Sequence, residues 1–311
     1  MENHLNNLVA RGGTELMAER INSLPKDLLS HFNIIHSRNS GIDPTKKNIL
    51  VCHDLALDPM YDYFKDGGWR QFDKIVFVSH WQKQQFQDYL GVPPSASVVL
   101  KNAITPIPEH EKPTDKIRLI YYSTPHRGLD ILYSVFVPLA KEFDNIELNV
   151  YSSFDLYAWP ERDKQYKGLF DKLRGHAKIN YHKSVSNEQI REELKRNHIL
   201  AYPSTWQETS CLVLMEAMSA GLSCVHSSLA ALPETAMNLT NMYEYHENPQ
   251  AHAQIFYNAL RNKIITYQNE NTRKQEQDNI FTQKALTDVI YNWKFRSREW
   301  QMLLKNMLTS S

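Results

Sequence analysis

The sequence holds 311 residues, 42% hydrophobic and 23% charged, with 35 Lys+Arg against 35 Asp+Glu and a formal net charge of zero. That length suits two domains of ~150 residues. The charge balance holds along the chain, 11 Lys/Arg against 12 Asp/Glu in residues 1–110 and 24 against 23 in the rest, so the basic stripe of a nucleic-acid binder is absent.

The three cysteines, Cys52, Cys211 and Cys224, are scattered and lack metal-ligand spacing, which points to packed thiols in a reducing compartment. The start, Met1-Glu-Asn-His-Leu-Asn-Asn, has no apolar signal core, and no apolar run nears the ~18 residues of a membrane span. The expected location is cytoplasmic.

In chain order, residues 1–10 make at most a weak strand. The stretch Ala10-Arg-Gly12-Gly13-Thr-Glu-Leu-Met-Ala-Glu-Arg20 then places a glycine pair before an amphipathic helix, where a ligand can approach bare backbone. Four strand-like runs follow, Asn33 to His36, Asn48 to Cys52, Lys74 to Ser79 and Val98 to Ile104. His53 and Asp54 close the second run, at the strand end where parallel α/β sheets place ligands. Residues 105–116 hold three prolines and five charged side chains and read as a linker that cannot continue a sheet.

Beyond the linker, strand and helix alternate, the βαβα pattern of a parallel sheet. Arg118 to Ser123 predicts a strand, and Arg127 stands just before the helix that starts near Leu129, placed to hold a phosphate. Strands are predicted over Ile146 to Tyr151 and Lys178 to His182, with a polar helical region between them to about Arg174. Ser186-Asn-Glu-Gln189 is a capping box opening a helix to about Arg196. The stretch from His198 to Gly221 predicts a strand to Pro203, a polar loop, and a helix from about Thr209 to Ala220, with Thr209 and Ser210 as caps and Gly221 as the stop. Free amides at such a helix start suit an anion. Glu208 lies in the loop, and Glu216 sits inside Leu-Val-Leu-Met-Glu-Ala-Met, where a buried carboxylate needs bonding partners. Ser223 to His226 predicts a strand, Asn248-Pro-Gln opens a helix to Tyr267, and residues 281–308 show one long helical pattern with Trp293 and Trp300.

Pro-Ser-x-x-x-Glu208, seven residues, Glu216-Ala-Met-x-Ala-Gly221, a short strand and Leu232-Pro-Glu234 together resemble the donor-site signature of family 4 glycosyltransferases. Gly12-Gly13-x-Glu resembles the family's phosphate-facing loop. The run from Lys74 through Gly91-Val-Pro to Lys101-Asn resembles the end of its N-terminal domain. Ala230-Ala231 stands where the family has Gly-Gly, and residues 1–10 where it has a clear strand.

The resemblance implies an α/β protein of the GT-B fold, two Rossmann-like domains facing across a cleft with the N-terminal one reduced. It assigns 1–104 to an acceptor-side domain, 105–116 to the linker, 117–280 to the nucleotide-sugar domain, and 281–311 to a helix packing back on the first. It further implies a retaining, metal-independent glycosyltransferase with no cofactor beyond its co-substrate, a UDP- or GDP-sugar or another nucleotide-diphosphate sugar. His53 would lie near the reaction centre and Glu208 would orient the donor sugar, while Glu216 would accept the ribose hydroxyls. The diphosphate would meet Gly12, Gly13, Arg127 and the amides of Thr209, Ser210, Cys211 and Leu212.

Ser123 or Thr124 occupies the position of the family's second basic residue, so one strong cation is expected from that loop. The loop carrying His182, Lys183 and Val185 would contact the base largely through backbone. The acceptor would be a glycan or glycolipid, and a peripheral membrane contact stays open, as does the oligomeric state. Two other readings stand beside this one: a non-catalytic sugar-nucleotide-binding protein and a GT-B sugar-nucleotide epimerase.

Overall fold

The computed structural model describes residues 11–309. The weak strand expected in residues 1–10 lies outside them. Helices α1 (Gly13–Asn22) and α2 (Lys26–Leu29) lead into a four-stranded sheet of β1 (Phe32–His36), β2 (Lys47–Cys52), β3 (Lys74–Phe77) and β4 (Ser97–Val99), with α3 (His80–Leu90) between the last two. The strands lie side by side in chain order and all run parallel. β2 and β3 read as nearly unbroken apolar runs because both faces are covered. Tyr61, Phe64 and Phe86 pack on one face, and Ile21, Leu28 and Trp300 on the other.

The second sheet contains β5 (Ile117–Tyr122), β6 (Ile146–Tyr151), β7 (Ile179–His182), β8 (Ile199–Tyr202), β9 (Ser223–Ser227) and β10 (Asn241–Tyr243), in the order β10-β9-β8-β5-β6-β7. All five pairings are parallel. Its helices are α4 (Leu129–Glu142), α5 (Lys167–Arg174), α6 (Asn187–Leu194), α7 (Leu212–Ser219), α8 (Leu232–Ala236) and α9 (Pro249–Gln268). The strand order reverses between β5 and β8, so the loops leaving these two neighbours diverge and open a crevice. The predicted capping box is present, with Ser186 and Gln189 bonded reciprocally at the start of α6. Residues 105–116 carry no helix or strand.

Two expected elements are shorter than their patterns. The strand predicted from Val98 to Ile104 stops at Val99, and Ile104 pairs elsewhere: its amide donates to Tyr291 O at 2.7 Å and its carbonyl accepts from Trp293 N at 2.9 Å. The same bridge breaks the helical pattern of residues 281–308 into α10 (Glu270–Ile290) and α11 (Trp293–Thr309). Buried Tyr291 marks the break, its hydroxyl donating to Thr235 O at 3.0 Å. α10 packs along α7 of the second half, whereas α11 sets Trp300 and Leu304 into the core of the first. The crossing therefore falls at Tyr291 rather than near residue 281.

Candidate active site

A cavity of about 1090 Å³ separates the two sheets, a size suited to a nucleotide-sized ligand. Its floor is the crevice between β5 and β8. Gly128, with φ +94°, holds the two loops together: a Cβ there would lie 2.0 Å from Pro203 O. That close approach brings Arg127, after β5, to Glu208, after β8. Arg127 Nη1 donates to Glu208 Oε1 at 2.7 Å, and the Tyr202 hydroxyl donates to the same oxygen at 2.6 Å. Burial works against the Arg127 charge, but Glu208 and the neighbouring tyrosines more than offset it and hold the guanidinium pKa well above its usual value.

α7 begins at Leu212 with Cys211 as its N-cap, later than the Thr209 start expected. Thr209 does not cap because its hydroxyl is used across the cleft, donating to His53 O at 2.6 Å. The amides of Thr209, Ser210, Cys211 and Leu212 nevertheless make no hydrogen bond within the described residues. All four residues line the cavity.

One turn further along, Glu216 accepts from Arg191 Nη1 at 3.3 Å and keeps 14% of its side chain exposed. Burial raises its pKa, and the charges of Arg191 and Arg20 pull in the opposite direction. Neither arginine was singled out from the sequence. Arg191 sits on α6, and Arg20 on α1 of the other half, where it donates to Ala103 O. Both are joined to Glu216 only by the tertiary fold.

From the first half, Gly12 and Gly13 face this helix start. A Cβ on Gly13 would lie 3.4 Å from Leu212 Cδ1, and one on Gly12 would lie 2.5 Å from the Tyr157 ring. Tyr157 also receives Arg127 Nη2 at 3.4 Å, so this unpredicted tyrosine is wedged between the glycine loop and the cation. His53, at the end of β2, meets His36 at the end of β1, with Nε2 to Nδ1 at 3.4 Å and rings stacked at 5.7 Å. Burial, then the neighbouring imidazole, lowers the His53 pKa to about 3, and burial lowers that of His36 to about 4.

The halves are tied together elsewhere. Arg11 N donates to Asn187 Oδ1 at 2.9 Å, and the amides of His80 and Trp81 donate to Glu234 at 3.1 and 3.0 Å. Glu234 thus caps α3 from the opposite half and also pairs with Lys101 at 3.0 Å.

The cavity wall brings together Gly12, Gly13, His53, Ser123, Arg127, Val185, Glu208, Thr209, Ser210, Cys211, Leu212 and Glu216. Three sequence-predicted residues lie off it. Thr124 is fully buried behind the loop, His182 stacks on Tyr151 at 4.6 Å, and Lys183 is exposed. From that loop Ser184 takes their place beside Val185. Among the described residues no group of three or more His, Cys, Asp or Glu side chains could hold a metal ion, and no helix is long and apolar enough to cross a membrane.

Residues 105–277 match the family described as Glycosyl transferases group 1. No curated protein matches the chain. Solved structures with the same fold include a glycosyltransferase from Rickettsia africae, 15% identical with TM-score 0.67, covering 96% of this chain and 81% of that one. A sucrose-phosphate synthase from Thermosynechococcus elongatus is 12% identical with TM-score 0.68, covering 94% and 80%. The pneumococcal O-GlcNAc transferase GtfA, solved with UDP and GlcNAc, is 14% identical with TM-score 0.67; the match covers 96% of this chain but 60% of that one.

Proposed function

The chain belongs to the group 1 glycosyl transferases, and on that premise we propose that it moves a sugar from a nucleotide-diphosphate sugar to an acceptor hydroxyl, with retention and without a metal. The observation that carries this is the placement of Glu208 and Glu216 on either side of the α7 N-terminus, with Arg127 beside Glu208 at 2.7 Å. Four free amides, the positive end of the helix and Arg127 together form a site for the departing diphosphate. Fixed dipoles of this kind stabilise charge as it develops, without reorganising. They can do so without a divalent cation. Glu216 accepts the ribose hydroxyls, and Glu208 Oε2, left free by Arg127 and Tyr202, orients the donor sugar. His53 faces them from the other half, near the acceptor hydroxyl of a glycan or glycolipid. The UDP in the pneumococcal relative supports a nucleotide ligand, and the Glu-x7-Glu spacing supports the family 4 reading.

One observation favours a second reading. Arg127 is already neutralised by Glu208, and Ser123 supplies no charge at the other basic position, so a sugar-nucleotide-binding protein without turnover is the rival.

The test incubates the protein with a panel of nucleotide sugars and candidate acceptors, with and without a chelator, and follows nucleoside-diphosphate release and the anomeric configuration of the product. Release that survives the chelator, with a retained anomer, is the expected result. Tight nucleotide binding without release selects the rival, and an epimerised sugar selects an epimerase. In calorimetry Glu216→Ala should lose about 2 kcal/mol of nucleoside-diphosphate affinity, the scale of hydrogen bonds to a charged group. Unchanged binding in the folded variant removes Glu216 from the site.

A further inference from the structure

The turn that leaves β1, His36-Ser37-Arg38, is strained, incompletely bonded and charged. Ser37 has φ +57°, the left-handed region, which a non-glycine residue adopts only at a cost in backbone strain. Two backbone bonds hold it there, Ser37 N to Val51 O at 2.8 Å and Arg38 N to His36 O at 2.7 Å. Ser37 Oγ and His36 Nε2 are both buried without a partner. His36 uses its other nitrogen on His53, so whichever ring donates in that contact, Nε2 is left over. Buried polar atoms without partners are rare enough in native proteins to need a reason. All three residues line the large cavity.

Arg38 is exposed and has no carboxylate partner among the described residues. The other arginines of the cavity are engaged differently: Arg11 pairs with Glu19 and Arg127 with Glu208, while Arg162 lies over the Trp159 ring of the second half at 4.4 Å. The remaining charged groups of the first-half wall, Glu15, Asp54 and Asp58, are acidic. A planar cation there can donate to neutral oxygens, but its fork bonds a compact oxyanion more strongly and in two places at once.

We propose that the turn His36-Ser37-Arg38 is an acceptor subsite, and that the acceptor it takes carries a phosphate or carboxylate group near the hydroxyl that receives the sugar. Arg38 grips the oxyanion, and the strained turn sets the acceptor beside His53. This inference rests on the donor-site reading above, because it is that reading which places the acceptor on this side of the cavity.

The experiment first fills the nucleotide side with UDP, or with whichever of GDP, ADP, CDP and dTDP binds more tightly, so that no free anion is read at the α7 amides. Glucose, glucose 6-phosphate and glucuronate are then compared by saturation-transfer NMR on the full chain. The two anionic probes should bind about tenfold more tightly than glucose, a charge-assisted hydrogen-bond effect. Arg38→Gln should bring both to the glucose level with nucleotide affinity and thermal stability unchanged, and Arg38→Lys should restore part of the preference. Equal binding of the three probes to the wild-type protein, or a preference that survives Arg38→Gln, overturns the acceptor inference while leaving the donor site standing. Failure of every nucleoside diphosphate to bind takes down the donor-site reading and this inference with it.

Discussion

Arg127 Nη1 and the Tyr202 hydroxyl converge on one oxygen of Glu208, at 2.7 and 2.6 Å. The cation of the phosphate loop is therefore neutralised by the carboxylate proposed to orient the donor sugar. An arriving diphosphate must share or displace that pairing. The arrangement keeps two buried charges satisfied when the cavity holds no ligand, since an unpaired buried charge would cost several kcal/mol.

It follows that Arg127 acts on the diphosphate and not on the base. Arg127→Ala should bind the nucleoside monophosphate almost as well as wild type and lose about 2 kcal/mol of affinity for the diphosphate. Calorimetry with the two ligands measures the difference directly. Equal losses for both would mean that the substitution disturbs the loop, whose Glu208 it leaves unpaired.

Gly12 offers a steric test of the closed cleft. Its φ of −73° suits alanine, so Gly12→Ala introduces no backbone strain but sets a methyl group 2.5 Å from Tyr157 Cε1 and 2.6 Å from Glu15 Oε2, the latter the far end of a flexible side chain that can swing away. The ring must move, giving up its contact with Arg127, and the expected loss is about 1 kcal/mol of stability. In a Tyr157→Ala background the same methyl meets no ring, only the movable Glu15 carboxylate, and should cost clearly less than in the wild-type background. Thermal unfolding of the two singles and the double variant gives the coupling, and additive losses would show that Tyr157 does not bridge the cleft in solution.

The motifs that local physics governs were legible in the sequence. Strand β8, the glutamate loop and α7 follow from apolar runs and a helix stop. The Ser186 box follows from spacing alone, and the second sheet from βα alternation. What stayed hidden depends on partners far along the chain. Nothing near Glu216 announces Arg191, nothing near α3 announces Glu234, and Tyr157 ends a 3-10 turn, Phe154–Tyr157, in a stretch expected to be a polar helix but α-helical only over Lys167–Arg174. The late start of α7 has the same origin: Thr209 is a good cap locally, but His53 O claims its hydroxyl. Likewise the apolar pattern runs through Tyr291 without a break, and only the bridge to Ile104 ends the helix.

His226 makes the pH dependence of folding testable. It is fully buried, with Nε2 at 2.8 Å from Thr240 Oγ1, and burial lowers its pKa from 6.5 to about 4. A depressed histidine pKa means that the unfolded chain binds the proton first. Stability is then intact above pH 6.5 and is lost as the pH falls from 6.5 towards 4, by about 3 kcal/mol for this one group. His226→Gln removes the titration and should flatten that part of the profile, whatever its cost at neutral pH. Urea unfolding at pH 7.5, 6 and 5 tests this, and identical slopes for wild type and variant would rule out His226 as a source of the acid sensitivity.

His53 carries the sharpest test of the cleft. Its ring comes from the first half, whereas the proposed nucleotide contacts Glu216, Arg127 and the α7 amides belong to the second. If His53 lines the reaction centre, His53→Ala should lower turnover about 100-fold and leave nucleoside-diphosphate affinity near wild type. An interaction made mainly in the transition state lowers kcat without weakening ground-state binding. The cross-cleft bond from Thr209 uses the His53 carbonyl and not its ring, so the alanine variant keeps it. The depressed pKa, about 3, adds a second expectation: the ring is neutral throughout the working range, and its titration should put no inflection into the turnover profile between about pH 5 and 8. A histidine that only props up its neighbours would give a different pattern, with thermal stability, binding and turnover falling together. Near-normal turnover in a folded His53→Ala protein would move the reaction centre away from the end of β2.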